Sequence, residues 1–373
     1  MNDIFMASVG DGLCLGVRSC LRDFRGYAQL DWGGETQKMS LDGYLRMRAE
    51  IGTAYDWRSR YFVGPREFVL SHYHLDHYAG LVAAANSPNP ENYTWAPQYV
   101  YFPGIPQFES APEFYLALFA FNAYMLGDSS GSMDYDLLRA VQTLCGAANP
   151  GSGQPLFQFK ALFEGDVFWL GGQLCTAVWP PRKVVGAEFS TAVANALEKF
   201  DVACNVDKEL REVHERIQKR NLVGRFLEGH EDLVQHLTLD EIRRETRQSL
   251  VQRNGQSIPK EVEEANVALR KAANYLSLGF YSSNELLFLG DVAPKVTPQI
   301  VDKLLSAQAI NYRYLIAPHH GTYWEKSMAS LRANNVLISN GRRLVSKYKT
   351  EWATVGSTVY SSFINGDTLL LRK

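Results

Sequence analysis

The sequence has almost no excess charge and no long hydrophobic run. Its 38 lysines and arginines nearly balance 40 aspartates and glutamates, giving a formal net charge of −2. This balance lacks the basic bias of a tight nucleic-acid binder, although it does not exclude a local basic groove. The longest apolar stretch, 114–126, is interrupted by Asn122 and falls short of the roughly 20 residues that cross a bilayer. We therefore expect a buried helix there and no membrane association.

Cysteines are few, and none has Cys-x-x-Cys spacing. The five are Cys14, Cys20, Cys145, Cys175 and Cys204. Scattered thiols in odd number are typical of a reduced, cytosolic protein. No basic segment followed by an apolar run opens the chain, so no signal peptide is expected. With hydrophobic residues at 46% of its 373 positions, the sequence predicts a globular cytoplasmic protein.

The most informative segment is 71–80, which reads SHYHLDHYAG. His72, His74, Asp76 and His77 place four metal-ligand side chains within six residues of a chain that has only eight histidines. The apolar run before them predicts a buried strand that opens into a loop at the histidines, and a helix is expected to begin only after Gly80, at Leu81. Imidazole with carboxylate suits Zn²⁺, and Mn²⁺ or Fe also fits. Ordinary polar turn residues are the plainer alternative, but they do not explain three imidazoles and an acid together.

This His-x-His-x-Asp-His string resembles the signature of the metallo-β-lactamase fold, and further landmarks follow in order. Residues 28–34 look like the family's strand ending in an acid and glycine, 285–291 like its Gly-Asp strand, and 315–322 like its strand running into histidines. Segments at 9–12, 178–181, 274–278 and 317–322 are similar to the ComEC-type (competence) branch. The resemblance implies one α/β domain over 1–373, an αβ/βα sandwich of two mixed sheets flanked by helices.

The resemblance also implies a centre with two metal ions, Zn²⁺ in both sites or Mn²⁺ in its place. The implied ligands are His72 and His74 for the first metal, Asp76, His77 and either His319 or His320 for the second, and Asp291 as the bridge. Asp76 would also contact the attacking hydroxide. Whichever of His319 and His320 is not a ligand is a candidate general acid, and Thr322 a candidate donor to a phosphate oxygen. Asp31 is expected to brace the metal loop by hydrogen bonds.

Two departures from the family bear on this centre. Around Trp179–Pro181, where the family places a third histidine for the first metal, there is none. His214, His230 and His236 lie in a charged helical stretch and are expected to face solvent. The first site would then be weak, or would tolerate Mn²⁺. Near the C-terminus, Lys347–Lys349 replaces a late His-Pro, so any phosphate role there is cationic.

Two helical insertions are expected, at 106–150 and at 186–272. The second is rich in charged residues at helical spacing. The sequence does not decide whether it is a lid, a partner-binding arm or a solvent-exposed helical decoration. Between them, apolar runs on either side of Gly171–Gly172 predict a β-hairpin.

Three functions compete on the sequence. A metal-dependent phosphodiesterase or nuclease is favoured by the ComEC-like His-His-Gly-Thr. A carbonyl hydrolase acting on a lactone, thioester or β-lactam is the second, but such enzymes generally have the histidine that is missing here. The third is a non-catalytic subunit that docks through 186–272. Nucleic acid or another phosphodiester is the expected substrate, and a protein partner is expected only through that insertion.

Overall fold

The structure is a computed structural model that describes residues 2–19, 27–52, 65–93, 95, 97–126, 137, 140, 141, 143, 144, 158–184, 186–219 and 258–371. Contacts along the chain divide it into two compact units. The first, here the sheet unit, comprises Met1–Gly104, Thr143–Pro181 and Asn274–Lys373. The second, the helical unit, comprises Ile105–Gln142 and Arg182–Ala273.

The first sheet has seven strands in the order β14-β1-β2-β3-β4-β5-β6. Neighbours from β14 to β3 pair antiparallel, and those from β3 to β6 pair parallel. The strands are β1 Asn2–Met6, β2 Cys14–Ser19, β3 Tyr27–Trp32, β4 Pro65–Val69, β5 Tyr99–Pro103, β6 Gln158–Leu162 and β14 Thr368–Leu370.

The second sheet also has seven strands, in the order β13-β12-β11-β10-β9-β8-β7. Its antiparallel half runs from β7 to β10 and its parallel half from β10 to β13. The strands are β7 Val167–Leu170, β8 Gln173–Trp179, β9 Gly279–Ser282, β10 Leu286–Phe288, β11 Asn311–Ile316, β12 Arg332–Ile338 and β13 Gly356–Ser361. Both Gly171 (φ 54°) and Gly172 (φ 77°) adopt the left-handed conformation of a tight hairpin turn, as expected.

The two sheets pack face to face on one apolar core. Leu30 and Val69 of the first sheet belong to the same buried cluster as Phe280 and Phe288 of the second. Helices α1 Gln37–Met47, α2 Leu75–Ala85 and α7 Thr297–Ser306 flank the sheets, and a short α8, Ser362–Asn365, precedes β14. The chain is therefore a mixed α/β protein with two mixed sheets flanked by helices, which agrees with the expected architecture.

The helical unit contains α3 Ala111–Leu126, α4 Ala187–Val206, α5 Lys208–Lys219 and α6 Lys260–Ala273. α6 packs along α4, and α3 packs against α4 and α5. The segment expected as an insertion at 186–272 thus shares one unit with the part of the 106–150 segment that precedes Thr143. The apolar stretch at 114–126 is the buried helix that the sequence predicts. Within the described parts of the chain, no helix combines the length and the apolar character needed to cross a bilayer.

Strand β4, which precedes the histidine motif, carries a buried acid at its middle position. Glu67 is only 4% exposed, and its Oε2 accepts a hydrogen bond of 3.1 Å from the Gly171 amide. Burial raises the pKa of Glu67 to about 7, against the lowering effects of that bond and of Arg66. The folded chain therefore holds a proton here at a pH where the unfolded chain has lost it.

This difference predicts a pH-dependent effect of Glu67→Gln, which keeps the acceptor for Gly171 but carries no charge. Since the carboxyl has a pKa of 4.5 unfolded and about 7 folded, wild-type stability falls between these values as the pH rises. Above pH 7 the variant is expected to be more stable by about 3 kcal/mol, and near pH 4 equal to wild type. Urea unfolding at both pH values measures this, with the exposed Glu113→Gln as control. Equal destabilisation at both pH values would contradict the prediction.

Candidate metal centre

The candidate ligands follow the carboxyl ends of parallel strands in both sheets. They come after β4 in the first sheet and after β10 and β11 in the second, and the bracing acid Asp31 lies at the end of β3. Because parallel strands end at the same edge of a sheet, these ends are where open α/β folds collect functional side chains. Residues far apart in sequence are brought together in this way.

The histidine motif itself is part loop and part helix. His72 and His74 lie in the loop after β4, but α2 begins at Leu75, so Asp76 and His77 occupy its first turn. The expectation of a loop up to Gly80 is wrong, because the buried Leu81 and Val82 extend one helical face back through this turn. The positive end of the helix dipole lies beside the Asp76 carboxylate and favours its charge.

Two groups of donor atoms form at this edge. His72, His74 and Asp291 offer one atom each within 4.8 Å of one another, and so do Asp76, His77 and His320. Asp291 lies between the groups: its Oδ2 is 3.7 Å from His72 Nε2, and its Oδ1 is 3.7 Å from His77 Nε2. The ligand set expected from the sequence is brought together, with a carboxylate positioned to bridge.

In three of these histidines, the ring nitrogen Nδ1 is hydrogen-bonded to a neighbouring group of the protein. The other ring nitrogen, Nε2, then faces the two groups of donor atoms. His72 Nδ1 lies 2.9 Å from Ser71 Oγ, His77 Nδ1 lies 2.7 Å from Asp31 Oδ2, and His320 Nδ1 donates to the Ser339 carbonyl at 2.7 Å. Among the described residues, Nε2 of His77 and Nε2 of His320 are buried without a hydrogen-bond partner. Such atoms are costly to bury unless an ion or water binds them, so the geometry fits a metal.

Asp31 braces the loop, as the sequence predicts. With φ of 53°, it directs Oδ1 to the Ser71 amide and Oδ2 to the Ser71 hydroxyl, both at 2.7 Å. Burial raises the pKa of Asp31, whereas His77 and Ser71 lower it. Burial also opposes a charge on His77, but the carboxylates of Asp31 and Asp291 raise its pKa to about 9. A metal at Nε2 would therefore displace a proton from this imidazole.

The rings differ in charge because they differ in neighbours. Burial, together with the positive charge on His77 and His74, lowers the pKa of His72 well below its ordinary value. Burial alone would raise the pKa of Asp291, but the surrounding histidines, His320 first, hold it well below the ordinary range. Asp291 is thus a carboxylate, and His72 a neutral imidazole, at neutral pH.

The structure distinguishes the two adjacent histidines of the Pro318–Gly321 turn. Both adopt the left-handed conformation (φ 48° and 56°), which is uncommon for residues with a side chain. His320 Nε2 lies 3.7 Å from Asp76 Oδ2 and belongs to the second donor group. His319 belongs to neither group; its Nδ1 lies 2.9 Å from Asp291 Oδ2, and its ring stacks on Tyr323 at 3.9 Å.

Thr322 lies at the end of the histidine turn. Its hydroxyl donates to the His319 carbonyl at 2.7 Å. The expected hydrogen bond to a phosphate oxygen would have to replace this bond, and it stays a prediction. In the present conformation Thr322 stabilises the left-handed backbone that separates the two histidine rings.

No histidine fills the place of the missing ligand among the described residues. At the end of β8, the Trp179 indole donates to the Tyr275 carbonyl at 2.6 Å. His214 lies on α5 of the helical unit, where its ring meets Phe200 edge-on at 5.1 Å, and it belongs to neither donor group. His230 and His236 lie outside the described residues. Cys14, Cys175 and Cys204 are buried free thiols, as expected.

Sequence reasoning missed the residues that hold the rings. Ser71 and Ser339 carry no metal-binding signal by themselves, although Ser71 directly precedes the motif. No protein-family model matches the chain, and no curated protein matches it significantly. The chemistry of the centre follows from its geometry: two buried groups of imidazole and carboxylate that share one acid suit a pair of divalent ions.

The assignment of His320 predicts different metal contents for two neighbouring variants. After dialysis against Zn²⁺, His320→Ala is expected to lose the ion of the second group, whereas His319→Ala keeps both, because only His320 contributes a donor atom. Metal per chain, determined by plasma mass spectrometry, measures this. Asp291→Asn is the positive control and should lower both occupancies. Loss of an ion in His319→Ala would show that the assignment is wrong.

Proposed function

We propose that this chain is a metal-dependent hydrolase of the metallo-β-lactamase fold, in its ComEC-like branch, which cleaves phosphodiesters such as nucleic acid. The observation that carries the proposal is the pair of buried donor groups joined by Asp291. When bound, two divalent ions, Zn²⁺ or Mn²⁺, supply a water of lowered pKa and positive charge opposite the departing oxygen.

The residues around the ions divide the remaining work. Asp76 has the more exposed side chain of the two carboxylate ligands, at 18% against 2% for Asp291, and it orients the attacking water by accepting a hydrogen bond. Asp291 fixes His319 through Nδ1, and the Tyr323 stack fixes the plane of the ring. The other nitrogen of His319 then lies on the far side of the ring, on a side chain that is 20% exposed. From there it donates a proton to the leaving oxygen.

Cationic residues beside the histidine turn support an anionic substrate. The Lys349 amide and the Trp352 indole both donate to the Gly321 carbonyl, at 3.0 and 3.1 Å. These bonds anchor the segment that carries Lys347 and Lys349, whose side chains are exposed. Such charges suit a phosphate better than the neutral carbonyl of a lactone.

The charged segment 186–272 is proposed as a lid or partner-binding arm, and the chain as a cytoplasmic protein. Three exposed valines of the helical unit support a docking role: Val202 (43%), Val206 (52%) and Val267 (67%). Buried free thiols support a reducing compartment.

Phosphodiester cleavage is expected to be faster with Mn²⁺ than with Zn²⁺. The first donor group has one histidine fewer than the family pattern, which leaves more oxygen around its ion and favours the harder metal. The test is hydrolysis of bis-p-nitrophenyl phosphate and of single-stranded DNA by metal-free protein reloaded with each ion. His72→Ala is the inactive control. Turnover of lactones or β-lactams without phosphodiester cleavage would instead support a carbonyl hydrolase.

Removal of the two lysines tests the anionic substrate. Lys347→Ala with Lys349→Ala keeps the backbone amide that holds Gly321 but removes both charges. KM for DNA is expected to rise by about three- to tenfold, since exposed charge contacts contribute up to about 1 kcal/mol each, while kcat stays near the wild-type value. Lys260→Ala on the helical unit is the matched control. An unchanged KM at low salt would argue against phosphate binding by this segment.

A further inference from the structure

The first donor group is one ligand short of the second. Asp76, His77 and His320 are joined by Asp291 as a fourth donor, whereas His72 and His74 have Asp291 alone. Tetrahedral sites take four ligands, so the first group, with three protein donors, has one position that water or a further protein donor could fill. A fourth protein donor to the first group has to come from a residue other than histidine, aspartate, glutamate or cysteine among the described residues.

The turn before β9 places an asparagine, Asn274, close to the two donor groups. Asn274 is 3% exposed, and its side-chain Nδ2 lies 3.4 Å from His319 Nδ1, which in turn lies 2.9 Å from Asp291 Oδ2. That same carboxylate oxygen faces His72 Nε2 at 3.7 Å. The amide of Asn274 is therefore beside His319, which contacts the Asp291 oxygen shared by the two groups; this oxygen also lies 3.8 Å from His320 Nε2 in the second group, which already has four protein donors.

The amide oxygen of Asn274 lacks a partner. Oδ1 is buried and accepts no hydrogen bond from the described residues. The Nδ2 contact is also weak, because His319 Nδ1 must donate its one proton to the Asp291 carboxylate and cannot accept from the amide as well. A buried amide with an unsatisfied oxygen is costly, and the orientation of its oxygen and nitrogen is free to follow a ligand.

The backbone fixes this turn independently of the Asn274 side chain. The Asn274 carbonyl accepts from the Ala293 amide at 3.1 Å, and the next carbonyl, of Tyr275, accepts from Trp179. Trp179 ends β8, at the position where the family resemblance expects the third histidine. The turn that carries Asn274 is thus bonded to the very segment from which that ligand is missing.

We propose that the side-chain oxygen of Asn274 is the fourth protein ligand of the first metal, in place of the missing histidine; this rests on the proposed two-metal centre. A neutral amide oxygen is a hard, weak donor compared with imidazole. It would make the first site looser than the second and selective for Mn²⁺ over Zn²⁺. Asn274 would in this way set the choice of metal for the whole centre.

The test measures metal binding rather than turnover. Metal-free wild type, Asn274→Ala and Asn274→Asp are titrated with Mn²⁺ and with Zn²⁺ in competition with a chelating dye, and bound Mn²⁺ is followed by electron paramagnetic resonance. Asn274→Ala is expected to weaken the looser site by about tenfold or more and leave the tighter site unchanged. Asn274→Asp, which is isosteric and charged, should tighten Mn²⁺ at the looser site. Ser277→Ala removes a nearby buried hydroxyl, which has no hydrogen-bond partner among the described residues, and should change neither site.

The outcomes separate this inference from the proposed function. Two ions bound by wild type and by Asn274→Ala with the same affinities would overturn the role of Asn274 and leave the two-metal centre intact. Weakened binding in Asn274→Asp as well as in Asn274→Ala would also overturn it, since a carboxylate oxygen should ligate at least as well. No binding by wild type would overturn the centre itself. Two sites with the expected shifts but no hydrolysis would support Asn274 and refute only the activity.

Discussion

Burial of several imidazoles beside three carboxylates is the constraint on which the centre depends. Ionisable groups without solvent are stable only if each is paired or hydrogen-bonded. The chain meets this by holding Nδ1 of His72, His77 and His320 with Ser71, Asp31 and a backbone carbonyl, respectively. Each tether fixes the tautomer, so the second nitrogen of each ring faces the interior. The same bonds that make burial tolerable therefore define a ligand geometry.

The sheets bring these groups together, and glycine allows the close approach that follows. A Cβ on Gly33 would lie 1.6 Å from the Asp76 carbonyl oxygen, and one on Gly12 would lie 2.7 Å from it. The end of β3 can therefore pack directly against the first turn of α2, which lets Asp31 reach both Ser71 and His77. A side chain at Gly33 would collide with the backbone of Asp76 and His77, push the first turn of α2 away and break this brace. The acid-glycine segment after β3 is thus a packing requirement of the centre.

The sequence predicts well those features that depend on residues close together in the chain. The ligands between His72 and His77 are adjacent in sequence, and the turn glycines of the β7–β8 hairpin determine its geometry locally. The start of α2 was predicted too late, because the polar residues Asp76 and His77 interrupt the apolar pattern by which a helix is recognised. The helix in fact begins at Leu75, inside the histidine motif. His319 and His320 could not be told apart from sequence, since their left-handed backbone, which turns the rings in different directions, depends on Thr322 and on contacts with Asp291 and Ser339. Asn274 was noticed only as part of a resemblance, and its neighbours come from elements distant in sequence.

Asp291 links the parts of the centre that the sequence separates. Its Oδ1 faces His77, while its Oδ2 faces His72 and His320 and also accepts from His319. An ion bound by either donor group would draw charge from this one carboxylate, so a change of ligand at one site would be felt at the other. Under the proposal that Asn274 ligates the first ion, its neutral oxygen would leave more of that ion's charge to be balanced by Asp291. The two donor groups are thus coupled through a shared acid, and the properties of one cannot be changed without the other.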